Sequence, residues 1–160
     1  MTEFRVGYGF DVHAFADNRE LKVGGVKIEF EKGLDGHSDA DVLLHAICDA
    51  LLGAAGLGDI GQHFPPDNPQ YKDIDSTELL KQVLAKINAG GWNAIENIDA
   101  TIMAERPHFQ KYYAQMKTSI SKALALDISR INIKATTTEK LGFVGRGEGI
   151  AAAAVCLLKK

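Results

Sequence analysis

Phe4-Arg-Val-Gly-Tyr-Gly-Phe-Asp-Val-His13 alternates without a break. Phe4, Val6, Tyr8, Phe10 and Val12 share one parity, and Gly7, Gly9, Asp11 and His13 share the other. A period of two marks a β-strand, whose successive side chains point to opposite faces. The bulky set is expected to face the core, which leaves the glycines, Asp11 and His13 facing whatever lies opposite.

Working outward, Leu21 to Val23 and Val26 to Phe30 read as a hairpin around Gly24-Gly25. Gly33 to Ser38 reads as a loop, followed by a helix over 39–55. Val42, Leu43, Ile47 and Leu51, with Leu44, Cys48 and Leu52, give that helix a broad apolar face. Ser38 is the expected cap, with Asp41 in a capping-box position, and Gly56 and Gly58 stop the helix. The segment 59–75 holds three of the four prolines and reads as an irregular functional loop. A second helix spans 76–89 with Ser76 as cap, then come a strand over 98–104, a third helix within 107–126 and a strand from Ile131. Gly149 to Leu158 suits either a helix, by its alanines, or a buried strand. This order implies an α+β fold: a mixed four-stranded main sheet with helices packed on one face plus a small hairpin, in a ferredoxin-like topology.

The chain of 160 residues is 46% hydrophobic and 24% charged, the profile of a single globular domain over residues 1–160. A net charge of −3 argues against a nucleic-acid partner or a basic membrane-surface helix. The longest apolar run, Ile150 to Leu158, has nine residues, too few for a membrane span. Cys48 and Cys156 lie in apolar runs without CxxC spacing and read as buried thiols in a reducing compartment, so a cytoplasmic setting is expected. Sixteen glycines against four prolines point to close backbone approaches.

Asp11-Val-His13 places a carboxylate and an imidazole on one face of a strand. His45 shares a helical stripe with Asp41 and Asp49 and is a candidate third ligand. One carboxylate and two imidazoles leave a fourth position open, the catalytic zinc pattern, which also suits non-haem iron. Ordinary hydrogen-bonded polar residues are the alternative. A second constellation runs from Lys134 through Thr136-Thr137-Thr138-Glu139 to Gly149, where hydroxyls and exposed amides suit phosphate oxygens and Glu139 suits a hard cation. It matches no Walker loop, and a capped Gly-rich turn is the competing reading. Asp59 between Gly58 and Gly61 suits sugar-like hydroxyls, or is part of a plain loop. Neither cysteine has a basic neighbour and no nucleophile elbow occurs, which favours phosphoryl chemistry by positioning and metal charge.

Together these motifs resemble the 2-C-methyl-D-erythritol 2,4-cyclodiphosphate synthase family. The resemblance is carried by Gly7–His13, Gly36–Asp41, His45, Ala50–Ala54, Leu57–Gly61, Phe64–Pro65 and the eighteen positions Lys134–Ala151. It implies that the 2-phosphate of a 4-diphosphocytidyl-methylerythritol substrate attacks the β-phosphorus, closing a cyclic diphosphate and releasing cytidine monophosphate. It implies Zn2+, one per subunit, on Asp11, His13 and His45, and Mg2+ or Mn2+ on Glu139. His37 and Thr137 match catalytic positions. Ser38, Asp59, Ile60, Gly61, Phe64, Pro65, Pro66, Asp67 and Asn68 fall on the methylerythritol and ribose side. Ala104, Glu105, Arg106, Pro107, His108, Phe109 and Gln110 match a cytosine pocket read through backbone groups, and Thr136 and Thr138 match contacts to the nucleotide phosphates. A homotrimer with sites between subunits is implied, and Phe143, Arg146 and Glu148 match a central cavity for isoprenoid diphosphates. The same resemblance reads the alanine-rich C-terminal run as a strand. Pro66-Asp67-Asn68 and His108 depart from the family's common Asp-Thr-Asp and Lys. A metal-dependent hydrolase of nucleotide diphosphates and an isoprenoid-diphosphate sensor are the competing functions.

Overall fold

The computed structural model describes residues 2–160. Its elements are β1 (Phe4–Ala16), β2 (Leu21–Val23), β3 (Val26–Ile28), β4 (Gly33–Leu34), α1 (Val42–Ala55), α2 (Ile60–His63), α3 (Ser76–Ala89), β5 (Ala94–Met103), α4 (Tyr113–Leu124), β6 (Ile131–Thr136), α5 (Gly142–Gly145) and β7 (Gly149–Lys159). Among the described residues one five-stranded sheet runs β4-β1-β7-β5-β6, and β2-β3 form a separate hairpin. β5 and β6 are parallel, and every other pairing is antiparallel. The α+β class, the mixed sheet and the hairpin are as expected.

Two topological expectations are corrected. The sheet has five strands rather than four, because β4 adds two residues opposite Phe15 and Ala16; so short a strand carries no periodicity to read. The order is not ferredoxin-like. That topology needs β-α-β-β-α-β, whereas the long strands here run β-α-β-α-β-β. The α4 crossover makes β5 and β6 parallel neighbours, and β7 returns between β1 and β5.

The alternation of β1 is confirmed but its facing is reversed. Phe4, Val6, Tyr8, Phe10 and Val12 are exposed, from 43% to 69%, while Gly7 and Gly9 lie under α1. A Cβ on Gly7 would stand 1.8 Å from the Ala50 carbonyl oxygen, and one on Gly9 would stand 2.0 Å from that of Ala46. Only glycine lets the helix backbone rest directly on the strand. Depth comes from the helix instead: Leu43, Leu44, Ile47, Leu51 and Leu52 are fully buried, against Leu80, Val83 and Ile87 of α3 and Ile98 and Ile102 of β5. Among the described residues no helix covers the other face of the sheet, where the bulky parity of β1 stays exposed.

Caps also move. Asp41, not Ser38, caps α1, and Asp75, not Ser76, caps α3. Asp41 is completely buried; its carboxylate takes the Leu44 N–H at 3.1 Å and the Gly24 and Gly25 N–H groups at 2.8 and 2.7 Å. One side chain thus starts the helix and pins the hairpin turn to it. Gly56 ends α1 at φ 73. The C-terminal run is a strand, β7, with Ala151, Ala152 and Ala154 almost wholly buried. The segment 59–75, expected to be irregular, contains α2 and a single turn over Pro69–Tyr71. Gly142–Gly145 forms α5 within the glycine-rich loop. No helix among the described residues is long and apolar enough to cross a membrane.

Candidate active site

Asp11 and His13 stand two residues apart on β1, on the parity of Gly7 and Gly9, so they point toward α1. His45 comes down from the first turns of α1 to meet them. Asp11 Oδ2 lies 2.8 Å from His13 Nε2 and 3.0 Å from His45 Nδ1, and the two ring nitrogens are 3.2 Å apart. Among the described residues these three form a group whose ligand atoms all lie within 4.8 Å of one another.

The outer nitrogens decide the tautomers. His13 Nδ1 lies 2.6 Å from the Asp35 carbonyl oxygen, which can only accept, so Nδ1 donates, and Nε2 is the nitrogen that shares a proton with Asp11 and would give it up to bind a metal ion. His45 Nε2 lies 3.0 Å from Ser76 Oγ, which itself donates to Asp39 Oδ1 at 2.5 Å. The serine hydroxyl therefore accepts from His45 Nε2, which leaves Nδ1, beside Asp11, as the nitrogen that would bind a metal ion. Ser38 Oγ is a second partner at 3.2 Å. Asp39 is steadied by the Ser76 N–H at 3.1 Å and by Lys22 Nζ at 3.6 Å.

Burial pushes the Asp11 carboxyl up, but the hydrogen bonds and charges of His13 and His45 outweigh it and hold it at about 2. Burial lowers His13, yet the Asp11 hydrogen bond and charge carry it above its ordinary value. A carboxylate oxygen and two imidazole lone pairs, each ring anchored at its far nitrogen, form a donor set that fits a metal ion with an open position.

A cavity of about 280 Å³ opens beside the cluster. It brings His37, Ser38, Ile60, Gly61, Phe64 and Pro66 to His13 and His45. Tyr71, Ile74 and Leu79 also line it and were not anticipated, since Leu79 reads as helix core and the other two sit among polar loop residues. Asp59 caps α2, taking the Gln62 N–H at 2.9 Å. Asp49, one turn beyond His45, takes the Ile60 N–H at 2.7 Å and so ties α2 to α1; the Asp41-His45-Asp49 stripe was its only signal in the sequence. Asn68 caps the turn over Pro69–Tyr71, while Pro65 and Asp67 do not line the cavity.

The remaining residues form a second group. Thr136, Thr137, Thr138 and Glu139 leave the end of β6, and 104–110 leaves the end of the parallel strand β5. Ala104 and Phe109 are buried, whereas Pro107, His108 and Gln110 border a separate cavity of about 590 Å³ with Glu29, Lys111 and Tyr112. Glu105 and Arg106 share a groove of about 390 Å³ with Lys140 and Arg146. Phe143 is 38% exposed, and Arg146 Nε donates to Glu148 Oε1 at 2.6 Å. Among the described residues no hydrogen bond joins Thr136–Glu139 to Asp11, His13 or His45. One chain presents two separate groups of candidate residues.

The family model described as YgbB family matches residues 4–159. The chain belongs to the YgbB family. The 2-C-methyl-D-erythritol 2,4-cyclodiphosphate synthase of Thiobacillus denitrificans is 56% identical over 160 residues, covering 100% of this chain and 99% of its own. Among solved structures, the bifunctional IspDF of Campylobacter jejuni superposes with a TM-score of 0.95 at 48% identity, over 99% of this chain and 43% of that longer one. The Plasmodium falciparum IspF CDP complex superposes with a TM-score of 0.84 at 33% identity, over 97% of this chain and 95% of that one. This YgbB-family chain is thus a member of a family of cyclodiphosphate synthases, lyases of isoprenoid precursor synthesis.

Proposed function

We propose that residues 1–160 act as one domain that converts 4-diphosphocytidyl-2-C-methyl-D-erythritol 2-phosphate to 2-C-methyl-D-erythritol 2,4-cyclodiphosphate and cytidine monophosphate. The observation that carries this reading is the convergence of Asp11, His13 and His45 on one point beside the cavity. Those three residues would hold Zn2+. Glu139, an exposed single carboxylate 3.4 Å from the Thr137 hydroxyl, suits Mg2+ or Mn2+ whose other ligands are substrate phosphates. Bound there, the two ions supply Lewis acidity and charge neutralisation to the diphosphate.

The chain's own residues supply the rest. Asp59 and the amides of Ile60 and Gly61 hold the methylerythritol hydroxyls, and α2 is fixed for that task by Asp49. His37 and Thr137 orient the reacting phosphates, with Thr136 and Thr138 on the nucleotide phosphates. The 104–110 loop takes the cytosine, as the CDP-bound relative supports. An oxygen of the 2-phosphate forms the new bond to the β-phosphorus as the bond to the α-phosphate oxygen breaks, and cytidine monophosphate leaves with that electron pair. Phe64, Tyr71, Ile74 and Leu79 give the cavity apolar walls that keep water from competing with the tethered nucleophile.

The reading includes a homotrimer in which the half-site on β1 and α1 meets the Thr136–Glu139 half-site of a neighbouring copy. The exposed apolar row of β1, continued by Val155 at 42%, supports it, because a bare apolar sheet face of this kind marks an interface. Phe143, Arg146 and Glu148 would then border a central cavity open to isoprenoid diphosphates. A cytoplasmic setting suits the two free buried thiols, Cys48 and Cys156. Phosphorus NMR of the purified protein with the cytidyl substrate, Zn2+ and Mg2+ tests the reaction. Cyclic diphosphate and cytidine monophosphate in equal amounts are expected; a linear hydrolysed diphosphate contradicts cyclisation.

A further inference from the structure

The loop after β6 holds a conformation that its residues do not favour. Glu139 and Lys140 are consecutive non-glycine residues in the left-handed region, at φ 52 and 65. There the Cβ crowds the following carbonyl oxygen. Such residues persist only where their surroundings over-determine them, and they gather at functional sites.

A single oxygen does much of the holding. Glu105 Oε1 accepts the Thr138 N–H at 3.1 Å and the Lys140 N–H at 3.1 Å, with the Thr138 hydroxyl at 3.4 Å. The two amides flank Glu139, so the carboxylate bridges across that residue and sets the direction its side chain leaves the backbone. The Thr138 hydroxyl closes the turn on the Leu141 carbonyl oxygen at 2.7 Å. Glu105 itself stands just beyond the end of β5, and because β5 and β6 are parallel neighbours the two loops emerge side by side.

We infer that Glu105 is a positioning residue, whose side chain locks the Thr138–Lys140 turn, aims Glu139 at a diphosphate-bound divalent cation and ties that turn to the nucleotide-binding loop. This rests on the function proposed above and adds to it, since there the 104–110 loop acts through its backbone. A nucleotide seated against 104–110 and a cation held at Glu139 then stabilise one arrangement of two joined loops, so each raises the affinity for the other.

The test compares the full-length wild type with Glu105→Ala and Glu105→Gln, using Mn2+ and CDP as probes. In Glu105→Ala the Thr138 and Lys140 amides should lose their protection from hydrogen exchange. Half-saturating Mn2+ in the presence of CDP, read by electron paramagnetic resonance, should rise about 10- to 100-fold, with zinc content unchanged. Glu105→Gln, whose amide oxygen accepts both N–H groups, should stay within about 3-fold of the wild type. The inference is overturned if Glu105→Ala matches the wild type in exchange and Mn2+ binding. It is also overturned if Glu105→Ala binds CDP more tightly, the mark of a carboxylate competing with phosphate. Loss of Mn2+ binding in Glu105→Gln equal to that in Glu105→Ala overturns it too, assigning the effect to charge. A wild type that fails to cyclise the substrate would refute the proposed reaction, while the exchange comparison would still decide the clamp.

Discussion

Asp11 and His13 make opposite demands on pH in the metal-free protein. The Asp11 carboxyl is held at about 2, below its unfolded value, so its contribution is present above pH ~4 and is lost as pH falls toward 2. His13 is raised, so its contribution is present at pH below ~6.5 and is lost as pH rises through its folded value. The pair therefore stabilises the metal-free chain most between those limits. Urea unfolding of the metal-free protein should show about 2 kcal/mol more acid loss between pH ~4 and ~2 than Asp11→Asn does. Equal slopes for the two proteins would deny the ion pair. Zn2+ binding displaces the shared proton, so affinity should fall as His13 protonates in mild acid. The candidate trio was legible at this scale because Asp11 and His13 share a strand parity and His45 lies on the polar stripe of α1. The outer partners were not, since Ser76 is thirty-one residues from His45 and only the fold joins them.

At the scale of elements, the packing of α1 on β1 sets the geometry of the candidate metal site. Gly9→Ala would drive a Cβ to 2.0 Å from the Ala46 carbonyl oxygen, one residue from His45. It should cost about 3 kcal/mol in chemical denaturation and lower zinc stoichiometry together with stability. A stable Gly9→Ala with full zinc would contradict that close approach. Ser76→Ala is expected to weaken zinc about 10- to 100-fold in a competition titration while α3 remains folded, because its cap is Asp75. Period-two alternation identified β1 but could not say which parity faces inward, because hydrophobicity marks any covered face. The glycines carried that answer: small residues at Gly7 and Gly9 opposite Ala46 and Ala50 mark a backbone-to-backbone contact. Caps were misread for a related reason, since Ser38 and Ser76 are local candidates and both hydroxyls turn instead to His45.

For the whole molecule, the proposed trimer would cover the open face of the sheet and bring the two groups of candidate residues together across subunits. Tyr8→Lys, at a position 64% exposed, should leave the monomer folded but shift sedimentation from trimer to monomer and lower turnover at least about 100-fold. A monomer that retains full turnover would contradict the shared site. Mixing inactive His45→Ala with inactive Glu139→Gln subunits should restore part of the activity, since some interfaces then pair two intact half-sites. The topology was legible only in class. The two residues of β4 and the return of β7 between β1 and β5 depend on long-range pairing that no local pattern reports.

In the proposed reaction Asp11, His13 and His45 hold one metal at the reacting diphosphate. Anomalous diffraction at the zinc edge, on crystals grown with Zn2+ and CDP, tests it most directly. One peak per chain is expected, about 2.0–2.2 Å from Asp11 Oδ2, His13 Nε2 and His45 Nδ1 and facing a phosphate oxygen. A peak elsewhere, or none at these three atoms with CDP bound, would contradict it.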